Sequence, residues 1–121
     1  MIRDLKDRGL FDSTLIIWMG EFGRGPRPGL GSGNAGAVGS GHYARAWTTL
    51  LAGAGLRTGQ TIGRTDAESV EVTERPVSAL DFFATICHAL GIDPHKEIGA
   101  PGGRPHFITP RQTQPIRELF A

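Results

Sequence analysis

Three side chains bracket the glycine-rich run of this sequence. Glu21 and Arg24 stand at its start and His42 at its end, in "GEFGRGPRPGLGSGNAGAVGSGHY". A carboxylate at that position can coordinate a hard cation or move a proton. A guanidinium can hold a phosphate or sulfate oxygen pair, and a neutral imidazole can ligate a metal or exchange protons. Each has a plainer reading. Glu21 can pair with Arg24 and tie the loop down, and the bare pattern favours that pairing. A histidine after glycines is ordinarily a surface residue. Taken together, Glu21 and His42 say more, because both lie at one sheet edge if the strands they flank are neighbours. In open α/β sheets ligands bind beyond the carboxyl ends of the strands.

Other candidates are weaker. Arg27 follows in the same loop, and Tyr43 reads as a packing residue. "GSGNAG", Gly31 to Gly36, matches the dinucleotide pattern by letter, but that motif must follow a strand at once and open a helix. Here it does neither, so it reads as loop. His88 shares a helix face with Asp81 and Thr85 and is expected in solvent. His95 falls in a turn, and Arg104 and His106 in the loop "GRPH". Cys87 sits in an apolar stripe and reads as core.

The elements that must position these groups follow from periodicity. "MIRDLKDRGL" reads as the end of an amphipathic helix, with Gly9 as a left-handed cap and Leu10 folding back. Its start at residue 1 without an N-cap suggests a chain that continues upstream. "TLIIWM" is an unbroken apolar run, as expected of a strand covered on both faces. A long Gly/Pro-rich loop, 20–46, leads to a second strand in "AWTTLLAGAG". "LRTGQTIG" reads as turns, and "VEVT" as a half-buried edge strand closed by Pro76. "SALDFFATICHALG" is the clearest helix, with Ser78 as N-cap and Asp81 as its partner. Leu80, Phe83, Cys87 and Leu90 form its apolar stripe, widened by Phe82 and Ile86. The tail is loop with a last turn at Ile116–Phe120. Strand, helix and strand alternate, so the class is α/β.

Composition excludes several functions. Thirteen Lys+Arg against twelve Asp+Glu leave a net charge of +1, and no basic block argues for nucleic acid. One cysteine permits neither an internal disulfide nor a cysteine-cluster zinc site. No segment approaches a membrane span, and no signal peptide opens the chain.

The blocks "LKDRGLFDSTLIIWMGEFGRGP", "GHYARAWTTLLAGAGLRTGQTIGRTD", "RPVSALDFFATICHALGID", "GRPH" and "PIRELF" resemble, in order, the C-terminal part of proteins of the domain of unknown function 1501 family. That family is similar to sulfatases, within the alkaline phosphatase-like superfamily. The resemblance implies a partial domain over 1–121, the C-terminal portion of a sandwich with a parallel or mixed sheet flanked by helices. It also implies metal-dependent hydrolysis of small phosphate or sulfate esters at a divalent-metal site of unspecified ion.

The superfamily's motif after this strand is a small residue followed by Asp–His–Gly, whose Asp and His ligate metal. The matching positions here are Gly20, Glu21, Phe22 and Gly23. Glu21 can keep the ligand role, and Phe22 cannot replace the histidine. Phe22 instead fits the 1501 pattern Gly-Glu-Phe-Gly-Arg-Thr-Pro, from which Gly25 departs. The family's later Gly-Arg-Asp-His corresponds to Gly39, Ser40, Gly41 and His42, so the histidine is kept and its two polar neighbours are not. The resemblance thus makes Glu21 and His42 metal ligands, and Arg24 and His42 substrate contacts. Nucleophile and first metal-binding Asp come from the N-terminal half in that superfamily. The 121-residue chain is therefore expected to contribute part of a site and to lack turnover by itself. Two alternatives stand beside this: a non-catalytic ligand- or partner-binding domain, and a structural piece that needs another chain. Uncovered sheet edges would favour self-association. Family members are often exported, which leaves the compartment of this chain open.

Overall fold

The computed structural model describes residues 1–31, 39–99, 102–103 and 105–120. They form two compact units. One comprises Met1–Ile16, Leu51–Gly59 and Val77–Ala121, and the other Ile17–Leu50 and Gln60–Pro76.

The first unit opens with helix α1, Ile2–Asp7. Gly9, at φ +68°, donates to Lys6 O, and the Leu10 amide reaches back to Leu5 O at 2.8 Å. These two bonds satisfy carbonyls that the helix end would leave open, and only glycine takes that dihedral without strain. A 3-10 turn at Phe11–Ser13 then leads into strand β1, Leu15–Met19.

The strands that follow are short: β2 Gly23–Arg24, β3 His42–Tyr43, β4 Thr49–Gly53, β5 Arg64–Thr65 and β6 Val72–Glu74. After helix α2, Ala79–Ala89, come β7 Glu97–Gly99 and β8 Pro105–Phe107. They pair as four two-stranded sheets: β1 with β4, β2 with β3, β5 with β6 and β7 with β8. The last three pairs are antiparallel.

This corrects the expected parallel or mixed sheet flanked by helices, and with it the alkaline phosphatase-like sandwich. Two physical reasons stand out. The apolar run of β1 is not covered on both faces, since Leu15–Ile17 are half-buried while Trp18 and Met19 are exposed. And α2 does not serve as a crossover into a parallel strand. The next strand, β7, is taken up by its local antiparallel partner β8, in register Ile98↔His106.

Helix α2 begins as the sequence suggests. The Ser78 hydroxyl accepts from the Asp81 amide at 3.0 Å and donates to the Asp81 carboxylate at 2.8 Å. Its buried face is another matter. Phe82, Ala84, Thr85 and Cys87 are buried, whereas Leu80, Phe83 and Leu90 are exposed. On the face opposite the apolar stripe His88 is exposed, as expected, while Asp81 and Thr85 hold the tail. Asp81 Oδ1 accepts from the Gln114 amide, and Thr85 Oγ1 accepts from the Ile116 amide, both at 2.9 Å. One turn on, the His88 ring meets Phe120 edge-on at 4.6 Å. Helix positions spaced by four and three thus meet Gln114, Ile116 and Phe120 of the tail, the last two separated by a 3-10 turn at Arg117–Leu119. Amide groups of the tail need acceptors once buried, and the polar side of α2 supplies them.

Candidate functional site

The site is built in the second unit by the antiparallel pairing of β2 with β3. Gly23 faces Tyr43 and Arg24 faces His42, and the Gly25 amide extends the ladder to Gly41 O at 3.1 Å. Residues directly opposite share a face, so the register itself brings the Arg24 and His42 side chains to one side. Glu21 enters from the connection between β1 and β2.

Two glycines permit this closure. A Cβ on Gly23 would lie 1.7 Å from Ala46 O, a backbone atom that cannot swing away. A Cβ on Gly25 would lie 1.8 Å from Leu30 O, where the loop turns back over the buried Gly25. The loop occupies the space that a side chain would fill.

His42 Nε2 lies 2.7 Å from Glu21 Oε1, and an Arg24 guanidinium nitrogen lies 3.7 Å from the same oxygen. Phe22 packs edge-on against the His42 ring at 5.5 Å. The three polar side chains predicted from sequence are thus brought together. They stand open to water, with side chains 63% (Glu21), 59% (Arg24) and 40% (His42) exposed. Such pairs are screened and add little to stability, and the Arg45–Glu71 pair of the same unit is comparably exposed. Hydrogen bonding to backbone at Glu21 is the main cause that holds its carboxyl below the ordinary range. The His42 bond and the Arg24 charge act in the same direction. Glu21 therefore remains an anion near neutral pH, with Oε1 2.7 Å from His42 Nε2.

Beside the cluster lies an open cleft of about 570 Å³, lined by Trp18, Met19, Phe22, Arg24, Trp47 and Ser69 among others. Trp47 Nε1 donates to Gly20 O at 2.9 Å, which fixes the backbone just before Glu21. Ser69 is delivered by a tight loop. The Asp66 carboxylate accepts from the amides of Val70 (2.7 Å) and Glu71 (3.2 Å), and the Ser69 amide bonds Asp66 O. Sequence reasoning missed this cleft. The signal was the placement of both tryptophans of the chain, Trp18 and Trp47, just outside either end of the glycine-rich run.

Other candidates sit elsewhere. Tyr43 is buried and its hydroxyl donates to Val70 O at 2.8 Å, as a packing residue would. Arg45 pairs with Glu71 and fastens the same loop. Arg27 is exposed. In the first unit, Cys87 is buried, His95 Nε2 is 3.0 Å from Thr113 O, and His106 is exposed on β8. Arg104 and residues 32–36 of the "GSGNAG" stretch lie outside the described residues.

A carboxylate oxygen and an imidazole nitrogen suit a divalent cation of the zinc or manganese type. They fit such an ion in part. Among the described residues no group of three or more His, Cys, Asp or Glu side chains is placed to hold a metal, and Glu21 Oε1 and His42 Nε2 are engaged with each other. No described helix is long and apolar enough to cross a membrane.

With this geometry in hand, comparison with known proteins gives one match. The family described as "Protein of unknown function (DUF1501)" matches residues 1–120, and the chain belongs to it. No curated protein and no solved structure matches the chain.

Proposed function

We propose that the Glu21–Arg24–His42 cluster is the anion- and metal-facing part of a site that hydrolyses phosphate or sulfate esters, as the sulfatase-like resemblance implies. The observation that carries this reading is the convergence of a carboxylate, an imidazole and a guanidinium on one open lip. Stability does not require that convergence. In this reading Arg24 holds two non-bridging ester oxygens through its fork of N–H donors. Glu21 stays ionised and offers Oε1 together with His42 Nε2 as a donor pair. When bound, a divalent cation would polarise the ester oxygens and offset charge that develops on them. Where His42 is not ligating, it can carry a proton toward the leaving oxygen, with Glu21 stabilising the charged imidazole. The reading assigns no nucleophile within this chain.

A second reading, a ligand-binding domain of the same family without turnover, is favoured by the donor count. Two donors among the described residues hold an ion weakly.

Calorimetric titration of the full chain with inorganic phosphate and with sulfate, with and without Mn²⁺, tests the proposal. Saturable, Mn²⁺-enhanced binding that disappears in Arg24→Ala and loses its Mn²⁺ dependence in Glu21→Gln is expected. Binding that is indifferent to all of these changes would contradict it.

A further inference from the structure

We infer that Asp66 is a positioning residue for His42, acting through the 66–71 loop and Tyr43; this rests on the proposed site at the β2–β3 lip. The need for such a residue comes from the size of the strand pair. β2 and β3 have two residues each, in the register Gly23↔Tyr43 and Arg24↔His42. A two-stranded ribbon is marginal in water even at ordinary strand lengths, so two register pairs do not fix a side chain by themselves. Successive residues of a strand point to opposite faces, so whatever pins Tyr43 also decides where His42 points. Tyr43 is buried, and its hydroxyl donates to Val70 O at 2.8 Å.

Val70 O is in place because of Asp66. The Asp66 carboxylate grips two consecutive amides, Val70 through Oδ1 at 2.7 Å and Glu71 through Oδ2 at 3.2 Å. The Asp66 amide donates to Glu71 O at 2.9 Å, and the Asp66 carbonyl accepts from the Ser69 amide at 3.1 Å. One residue thus closes the loop with its amide, its carbonyl and its side chain. Between these bonds Ser69 is held at φ +58°, a left-handed conformation that a non-glycine residue adopts at a cost. A loop whose only duty was to turn the chain from β5 to β6 would be served by glycine there. Here the strained turn delivers a carbonyl to the residue beside His42. The Arg45–Glu71 pair joins the same two segments, but it is exposed and adds little.

The Phe22 and His42 rings, with centroids 5.5 Å apart, report the lip by their proton cross-peaks without any ligand. In Asp66→Ala these should fade while the α2 amide shifts stay in place, and Asp66→Asn, which keeps one acceptor oxygen, should restore part of them. Tyr43→Phe leaves the loop closed and cuts only the link, so it should weaken them too. The double variant should be no worse than Asp66→Ala, because both changes break one path. By calorimetry the Mn²⁺ enhancement of phosphate binding should fall about tenfold in Asp66→Ala, as for a residue that orients a metal donor, while Arg24-dependent binding without Mn²⁺ stays within about twofold. Unchanged cross-peaks in Asp66→Ala and Tyr43→Phe, losses that add in the double variant, or an undiminished Mn²⁺ enhancement would overturn the positioning role. Faded cross-peaks in a protein whose native form shows no Mn²⁺-enhanced phosphate binding would keep that role and overturn the ester reading. Should Asp66→Ala not fold, Tyr43→Phe decides by itself.

Discussion

The tail on α2 and the β2–β3 lip are each held by a few polar contacts, and they use them in opposite ways. On α2 the contact that anchors the tail, from the Ile116 amide to Thr85, is buried. Thr85 is fully enclosed, donates to Asp81 O at 2.7 Å and accepts from the Ile116 amide, so its hydroxyl is satisfied on both sides. At the lip, Glu21, Arg24 and His42 face water, and what is enclosed is the backbone, pressed together at Gly23 and Gly25. Buried polar contacts specify structure because breaking them strands a group away from water. Exposed ones leave the side chains available to a ligand. The difference separates a region that holds shape from one that can do chemistry.

The comparison can be broken most severely at Gly23. In Gly23→Ala the new methyl must displace the Ala46 carbonyl, and overpacking of this kind costs on the order of 1–3 kcal/mol or more. Urea unfolding should show that loss. The amide spectrum should show His42 and Tyr43 shifted while the α2 residues stay in place. A smaller effect belongs to Thr85→Val, which keeps the shape and leaves the Ile116 amide without its acceptor. About 1–3 kcal/mol should be lost, with faster hydrogen exchange along residues 114–120. Tyr43→Phe removes one bond to Val70 O from an otherwise buried ring and should cost about 1 kcal/mol.

Glu21→Gln should barely move the unfolding midpoint, because its contacts lie in water. Its role shows in pH dependence. The folded carboxyl titrates lower than the unfolded one, so its stabilisation is complete above the ordinary Glu value of roughly 4.3 and is lost as pH falls through the lowered folded value. A carboxyl carbon titration of the native chain should place the Glu21 midpoint below the ordinary glutamate value. A midpoint at the ordinary value would remove the backbone, His42 and Arg24 contacts at Glu21 from the account.

Much of the local structure was legible in the sequence because it is decided locally. Gly9 as a left-handed cap and Ser78 with Asp81 at the start of α2 depend on a few neighbouring residues. The meeting of Glu21 and His42 was legible as a bracket around a run of glycines. The face of α2 was legible in part. Apolar counting selected Phe82 and Cys87, which are buried, together with Leu80, Phe83 and Leu90, which are exposed, and it takes no account of tail amides that bond to Asp81 and Thr85. The parallel sheet failed for a related reason. An unbroken apolar run was read as burial on two faces, when its last two residues, Trp18 and Met19, form a wall of the cleft. Periodicity reports which residues avoid water, and it does not report what they avoid it against.

The most direct test of the central claim uses the four histidines of the chain as internal controls. Substoichiometric Mn²⁺ added to the full chain should broaden the His42 ring proton resonances before those of His88, His95 and His106. In Glu21→Gln that preference should vanish. If His42 stays sharp while the others broaden, or if all four broaden alike in both proteins, Glu21 and His42 are not a donor pair and the proposed site falls.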